Sequence, residues 1–210
     1  MGIKGKKTIL GTASAELVEK KSRFLAAAFH AETDAECAAL AAAERVKYRD
    51  ARHVCFAYIT DGGRTVRMSD DGEPSGTAGV PILDLLQKRG LVDCLVCVTR
   101  WFGGILLGAP GLVRAYSGAA KSALDAASPA VYAEVSLLTC VCGYSDYERL
   151  RNFLERSGAW DLKAQFAAEV TLTLLCDAEH AETLCSSVFD RTAGRISLSL
   201  LETRAELRPL

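Results

Sequence analysis

The sequence predicts an α+β fold of two domains, and three features of the chain support this prediction. Short apolar runs typical of strands alternate with longer amphipathic segments typical of helices. The dipeptide Ser128-Pro129 interrupts that alternation. From Val135 onward the segments follow the order βαββαβ, which is the order of ferredoxin-like domains. We therefore expect one domain over residues 1–132 and a ferredoxin-like domain over residues 133–210.

In the first domain, apolar runs separated by turn residues indicate alternating strands and helices. The run at residues 53–60 is apolar on both faces, which is typical of a central strand. Thr33, with Glu36 three residues later, has the pattern of a capping box at a helix start. Gly90 is a typical helix end. In chain order we expect strand 24–30, helix 34–47, strand 53–60, a turn at 61–63, strand 64–68, helix 80–88, strand 91–99 and helix 110–127.

The second domain has its own capping and turn signals. Ser145 and Glu148 have the spacing of a capping box, Asp177 is a candidate helix cap, and Gly194 suits a helix end. The expected order is strand 135–142, helix 145–157, paired strands 160–166 and 169–176, a helix to 192 and strand 195–201. Residues 135–210 carry 8 basic and 11 acidic side chains with few aromatic residues in the strands. This composition favours protein docking or regulation over base stacking.

The bulk composition excludes several classes of protein. The formal net charge of the 210 residues is −1, which excludes a generically basic nucleic-acid binder. No apolar run approaches the ~20 residues of a membrane span. The basic N-terminus lacks the apolar core of a secretory signal. We therefore expect a cytoplasmic protein that contacts no membrane.

The eight cysteines predict free, buried thiols, because most lie in apolar runs and a reducing cytosol keeps them unpaired. Cys94 and Cys97 form a C-x-x-C pair, but positions three apart on a strand face opposite sides of the sheet. They cannot hold one zinc ion together, and no second pair completes a four-ligand set. Neither a metal nor a cofactor is expected.

The strongest local signal is the segment TRWFGGILLGAPGLVRAYSGAAKSAL, residues 99–124. It contains no acidic residue, and Pro110 suits the first position of a helix. The free N–H groups of an acid-free helix start, together with the helix dipole, attract anions. We interpret the segment as a docking surface for phosphate or another anion, such as an RNA backbone, with the candidate residues Arg100, Gly103, Gly104, Gly108, Gly111, Arg114 and Lys121. The alternative, of equal weight, is a tight strand-to-helix connection in which Arg100 pairs with an acidic loop.

That acidic loop begins SDDGEPSG and supplies the candidate residues Ser69, Asp70, Asp71 and Glu73. Adjacent aspartates usually diverge, and their spacing is not that of an EF-hand calcium loop. Asp71-Gly72 is a strong turn signal. We therefore favour a turn whose acids anchor Arg67 or Arg100, with catalysis as the alternative.

A cysteine and a histidine on one strand form a second candidate for chemistry. His53 and Cys55 are predicted to point to the same face of the strand, and such a pair can act as base and nucleophile. Core packing is the more common reason for this placement on a buried strand. No H-E-x-x-H motif or Ser-His-Asp set occurs, so the sequence identifies no catalytic residues.

Three stretches together resemble the YigZ/IMPACT family. They are ARHVCFAY, with Arg52 and His53 as matching strand residues, SDDGEPSGTAG, and R-x-x-G-G-I-L-L-G-x-x-G-L-V-R-A-Y starting at Arg100. The likeness extends over residues 15–130, and residues 135–210 look like the smaller C-terminal domain of bacterial members. Ala109-Pro110-Gly111 departs from the usual glycine pattern of the family and stiffens the loop.

The resemblance implies both a fold and a function. The first domain is expected to have the β-α fold shared by a small-subunit ribosomal protein and domain IV of the translocating GTPase. The implied partners are RNA, the ribosome or a translation-regulatory protein. We therefore expect a non-enzymatic binding or regulatory protein linked to translation, acting through a glycine-rich anion-binding cleft. The alternatives are a hydrolase such as a proline dipeptidase, a label that some bacterial members carry, and a pure protein-interaction module.

Overall fold

The computed structural model of the chain describes residues 3–210, and these form two units. The first unit comprises residues 3–132 with Arg208–Leu210, and the second comprises Ala133–Leu207. Both combine helices with β-sheets, so the predicted α+β class is confirmed. None of the described helices is long and apolar enough to cross a bilayer.

The first unit is organised around a five-stranded antiparallel sheet. Its elements are β1 (Lys7–Leu10), β2 (Thr12–Glu19), β3 (Ser22–His30), α1 (Asp34–Lys47), β4 (His53–Thr60), β5 (Thr65–Ser69), α2 (Gly79–Arg89), β6 (Cys94–Trp101), α3 (Ala109–Ala126) and the first part of β7 (Ser128–Cys142). The strand order in the sheet is β2-β3-β6-β4-β5. The predicted interior position of β4 is therefore confirmed.

The central strand β6 contributes to a hydrophobic core on each face of this sheet. Cys94 belongs to the larger core, which is shared with α2 and α3. Cys97 belongs to the smaller core, which is shared with α1. The opposite orientation predicted for the two cysteines is confirmed, and both are free thiols. The pleat of the strand accounts for this alternation.

Local signals placed two helix ends correctly. The Thr33 hydroxyl accepts a hydrogen bond of 3.2 Å from the Glu36 N–H at the start of α1. The Glu36 carboxylate accepts from the N–H of Glu32 instead of Thr33, so the capping box is shifted by one residue. Gly90 ends α2 in the left-handed region, with φ +64°, which glycine adopts without a Cβ clash.

Two strands at the beginning of the chain were not predicted. Strand β2 has the helix-like sequence TASAELVE, yet it pairs with β3 along its full length. Lys20 and Lys21, both at positive φ, form the connecting turn. Two positive φ values match the twist of a hairpin, but glycine or asparagine usually supplies them. The sequence therefore gave no turn signal here. Strand β1 pairs with the first residues of β7.

The second unit contains the rest of β7, α4 (Tyr144–Arg156), β8 (Trp160–Phe166), β9 (Val170–Asp177), α5 (Ala181–Arg191) and β10 (Ser199–Pro209) as far as Leu207. The strand order is β10-β7-β9-β8. This order and the βαββαβ succession are those of a ferredoxin-like fold, as predicted. Both helices pack their apolar faces into one core with β7 and β9.

Several predicted boundaries in this part of the chain were wrong. Strand β7 begins at Ser128 rather than Val135, because the unpredicted β1 provides a pairing partner. Ser145 lies inside α4, whose N-cap is Gly143 and has no side-chain cap. Asp177 is the last residue of β9, and a short 3-10 turn separates it from α5. The last strand was predicted at 195–201 but runs over Ser199–Pro209.

Candidate functional site

An open cleft of about 370 Å³ lies in the first unit where α3 begins. One wall of the cleft is formed by His53, at the start of β4, and Arg100, near the end of β6. The antiparallel register of the two strands places these residues side by side. The acidic loop contributes Glu73, and the glycine-rich loop contributes Phe102 and Leu106. The cleft therefore combines charged, aromatic and aliphatic side chains.

The start of α3 opens onto this cleft. Gly108, at φ +70°, is the N-cap residue and has no side chain to accept a hydrogen bond. No side chain caps this end of the helix. The first turn contains no acidic residue, and Gly108 and Ala109 are both exposed and line the cleft. The positive end of the helix dipole therefore faces open space, as the acid-free sequence predicts.

One exposed guanidinium group stands at the rim of the cleft without a counter-charge. The Arg52 side chain has no ion pair or hydrogen bond to any residue in the described range 3–210. It lies directly before β4, beside the start of α3. Arg52 and the helix start together give this part of the cleft a positive potential.

The other predicted basic residues lie away from the cleft. Arg114 is exposed on α3 but does not line it. Lys121 lies about two turns further along the same helix, where its ammonium group pairs with Asp125 at 2.6 Å. Asp125 also binds Arg89 at 2.5 Å. The structure therefore brings Arg100 to the cleft but does not bring Arg114 or Lys121 there.

The glycines of the connecting loop have separate structural roles. A Cβ atom on Gly103 would lie 2.0 Å from the carbonyl carbon of Lys21, so the loop can approach β3 only with glycine here. Gly108 provides the positive φ at the N-cap of α3. Gly108 lines the cleft, whereas Gly103, Gly104 and Gly111 do not. These three shape the connection rather than the surface that a ligand meets.

A buried ion pair supports the floor of the cleft. Arg100 Nη1 lies 2.5 Å from Glu73 Oε1, and the two side chains are only 7% and 4% exposed. The Tyr116 hydroxyl donates a hydrogen bond of 2.8 Å to the same carboxylate oxygen. The predicted pairing of the acidic loop with Arg100 is confirmed. Arg67, the other predicted anchor, pairs instead with Asp34 at 2.7 Å.

Aromatic rings enclose the Arg100 guanidinium group. Its central carbon lies 5.4 Å from the centre of the Phe24 ring and 5.6 Å from that of Phe102. These cation–π contacts favour a delocalised guanidinium ion in a buried position. The neighbouring Tyr116 is fully buried, and burial, together with the nearby Cys55 and Glu73, raises the pKa of its hydroxyl far above the usual range. Tyr116 is therefore a neutral hydrogen-bond donor.

The two aspartates of the acidic loop hold the backbone in place. The Asp70 carboxylate accepts hydrogen bonds of 2.8, 3.0 and 2.8 Å from the N–H groups of Gly76, Ala78 and Gly79, at the start of α2. Burial alone would raise the pKa of Asp70, but these backbone donors outweigh it and lower the pKa below its ordinary value. Asp71 accepts a 2.7 Å hydrogen bond from the N–H of Val54.

We expect the Asp70→Ala variant to be less stable than the wild type by about 1 kcal/mol at neutral pH, since α2 loses its N-terminal acceptor. Because the pKa of Asp70 is lowered in the folded state, its ionised carboxylate stabilises the fold at pH values above the ordinary pKa of an aspartate. This contribution disappears as the pH falls through the folded-state pKa. Urea unfolding should therefore show the difference shrinking below about pH 4. Asp84→Ala, an exposed change on the same helix, serves as the control. A difference independent of pH would contradict this role.

His53 presents one ring nitrogen towards the acidic loop and the other towards the buried ion pair. His53 Nδ1 lies 2.6 Å from the carbonyl oxygen of Asp71. A carbonyl oxygen only accepts hydrogen bonds, so Nδ1 carries the proton. In the neutral ring Nε2 is then an acceptor, and it lies 4.0 Å from Glu73 Oε1. His53 is partly buried and lines the cleft.

Cys55 does not form a nucleophile with His53. Its thiol donates to the carbonyl oxygen of Asp70 at 3.0 Å. Burial raises the pKa of the Cys55 thiol to about 12, so the group is not ionised at neutral pH. The packing interpretation of this pair is the one that the geometry favours. Within residues 3–210, no group of three or more potential metal ligands was found.

Part of the cleft was missed from the sequence. Leu106 is 82% exposed and Phe102 is 42% exposed, and both line the cleft. Their position in an apolar-looking loop gave no indication that they would face solvent. The hydrogen bond from Tyr116 to Glu73 was also missed, because Tyr116 lies on the apolar face of α3 that packs into the core, and the sequence does not show what its hydroxyl meets there.

Comparison with known proteins gives consistent results for both units. The Impact N-terminal domain profile matches residues 20–124, and a domain of unknown function, DUF1949, matches residues 140–195. An IMPACT family member from Haemophilus influenzae is 34% identical over 187 residues, which cover 87% of this chain and 90% of that protein.

Two further relatives align over most of the chain. IMPACT family member YigZ of Escherichia coli (strain K12) is 31% identical over 186 residues, covering 87% of this chain and 91% of that protein. The crystal structure of a hypothetical protein superposes with a TM-score of 0.60 at 28% identity, covering 95% of this chain and 98% of the other. A family profile that spans half of the sequence, and relatives above 30% identity along most of its length, lead to one conclusion: the chain belongs to the IMPACT family.

Proposed function

We propose that the protein is a binding or regulatory protein linked to translation, and that its cleft binds the backbone of RNA, free or in the ribosome. The observation that carries this proposal is the start of α3, which is uncapped, free of acidic residues and open to the cleft beside the unpaired Arg52. Membership of the IMPACT family supports the link to translation, which the sequence motifs also imply.

The charges around the cleft favour a phosphate ligand. Free N–H groups at a helix start bind phosphate oxygens, and the helix dipole favours the negative charge. Arg52 adds an exposed guanidinium donor at the rim. Glu73, the acid that lines the cleft, is buried and compensated by Arg100. Its charge therefore does not cancel the attraction of the rim.

The aromatic side of the cleft suits a nucleic acid rather than a free phosphate ion. Phe102 is half-exposed and packs on the guanidinium of Arg100. A base can stack on an exposed ring of this kind while the adjacent phosphate contacts Arg52 and the helix start. The net charge of −1 means that the attraction is local, so single charge changes in the cleft should have measurable effects.

Co-sedimentation with ribosomes and anisotropy with single-stranded RNA, both over a salt series, test this function. We expect affinity to fall with increasing salt. Arg52→Glu should weaken binding and should lower the slope of log affinity against log salt by about one, since one phosphate contact is lost. The matched control is Arg64→Glu, an exposed arginine near the opposite end of β4, about 25 Å away.

Three results would contradict this function. They are binding that is insensitive to salt, equal effects of the Arg52 and Arg64 substitutions, and no detectable binding of RNA or ribosomes at low salt.

Exposed apolar side chains beside the cleft favour a second candidate, a protein partner. Ile105 and Leu106 are 43% and 82% exposed on the glycine-rich loop. A protein interface would bury these side chains, whereas the phosphate contacts do not need them. Leu106→Asn, which makes the side chain polar without adding a charge to the cleft, separates the two candidates. It should leave RNA affinity within about twofold under the first candidate and should abolish partner capture under the second.

A further inference from the structure

Three arginines surround a small hollow on the helical side of the second unit. The hollow has a volume of about 40 Å³ and lies between α4 and the C-terminal end of α5, together with the residues that follow α5. Arg149 of α4, Arg191 at the end of α5 and Arg195 just beyond it all line this hollow and are exposed. The cleft of the first unit shares no residue with it.

The guanidinium groups exceed the negative charge available to them. Arg195 lies 3.5 Å from Asp146, which is the only carboxylate lining the hollow. Arg191 lies over the Phe153 ring at 4.8 Å and has no carboxylate partner among residues 3–210. Arg149 has no ion pair with any residue in that range. The hollow thus carries an excess of two positive charges, although the sequence from 135 to 210 is acidic overall.

The floor of the hollow is apolar and small. Buried Leu150, Val188 and Ile196 form it, together with the ring of Phe153. A volume of this size holds about three water molecules. It suits a short aliphatic side chain and is too small for a planar nucleobase. The ligand that fits is therefore anionic around its edge and aliphatic at its centre.

We propose that this arginine-lined hollow is a docking site for an acidic peptide segment of a partner protein, with one aliphatic side chain inserted between α4 and α5. The flanking carboxylates of the segment would pair with Arg149, Arg191 and Arg195, whose planar guanidinium groups match carboxylates in a bidentate way. This site is independent of the function proposed for the cleft, because it lies entirely in the second unit.

The full chain, labelled with nitrogen-15, can be titrated with the model peptide EELEE and with EEAEE, which lacks the aliphatic anchor. We expect EELEE to shift the amide signals of residues 146–153 and 191–196 and to bind more tightly than EEAEE. Arg191→Glu should lower the affinity for EELEE by about tenfold or more. The matched control is Arg151→Glu on α4, because Arg151 pairs with Glu155 and does not line the hollow.

Four outcomes would overturn this proposal. The first three are no amide shifts in these two segments, equal affinity for EELEE and EEAEE, and equal effects of the Arg191 and Arg151 substitutions. The fourth is that single-stranded RNA displaces EELEE equally well from the wild type and from the Arg52→Glu variant, because the hollow would then bind RNA. Arg191 and Arg151 are both exposed, so both variants should retain the wild-type unfolding temperature.

Discussion

The Arg100→Met variant should lose about 3–5 kcal/mol of unfolding free energy, because Glu73 would remain buried without its counter-charge. Both side chains are almost inaccessible, and their closest nitrogen and oxygen atoms are 2.5 Å apart. Methionine keeps the apolar contact with Phe24 and Phe102, so the loss reports the charge rather than a cavity. Urea unfolding followed by far-UV circular dichroism measures the difference.

A double variant separates the ion pair from its surroundings. Glu73→Leu combined with Arg100→Met should recover most of the lost stability, since no unpaired charge remains buried. Arg114→Met, an exposed change on α3, is the control and should alter stability by no more than about 0.5 kcal/mol. A loss below about 1 kcal/mol in the single Arg100 variant would mean that the pair is accessible to water, as surface pairs are. The description of the cleft floor would then be wrong.

The Gly103→Ala variant is expected to lose more than about 3 kcal/mol, or to fail to fold, because its new methyl group has no space. The added Cβ atom would lie 2.0 Å from the Lys21 carbonyl carbon and 2.3 Å from the Ser22 nitrogen. Both atoms belong to the backbone, so a side-chain rotation cannot relieve the clash. Strand β3 or the glycine-rich loop would have to move.

Gly104→Ala is the natural comparison for this variant. Gly104 has φ +85° but no atom within 4 Å of an added Cβ. Alanine there should cost about 1–2 kcal/mol from the left-handed backbone alone. Thermal unfolding of both variants checks the order of the two effects. Equal losses at the two positions would show that the close approach of the loop to β3 is not required.

The elements that the sequence predicts well are those with strong local signals. Helix α1 has a capping threonine and a long alanine-rich run, and its predicted bounds match the structure. Strand β4 is apolar on both faces and also matches. Strand β6 was predicted to start too early, since Leu91 accompanies the glycine cap of α2 through its N–H bond to the Leu86 carbonyl. Residues 91–93 therefore belong to the end of α2 and the connection that follows it, and β6 begins only at Cys94.

The elements that were missed depend on distant partners. Strand β2 has low strand propensity, and only pairing with β3 and packing against α3 make it a strand. Strand β1 pairs with residues more than a hundred positions away. Such pairings leave no local pattern in the sequence, so a residue-by-residue interpretation cannot find them.

The candidate site was predictable in its charges but not in its geometry. The acid-free start of α3 and the pairing of Arg100 with the acidic loop followed from sequence patterns. The separation of Lys121 from the cleft did not follow from these patterns. The sequence does not show that Lys121 pairs with Asp125 further along α3, away from the start of the helix. The apolar edge at Leu106 was missed for the same reason: exposure is set by the tertiary fold.

Residue-resolved titration of the labelled full chain with a short single-stranded oligouridylate tests the central claim most directly. We expect the largest amide shifts at Ala109 and Gly111, whose N–H groups lie in the first turn of α3, with smaller shifts at Arg52. The shifts should weaken with added salt and in the Arg52→Glu variant. If these amides stay unchanged while others move, or if no amide moves at low salt, the start of α3 is not an anion-binding site in this protein.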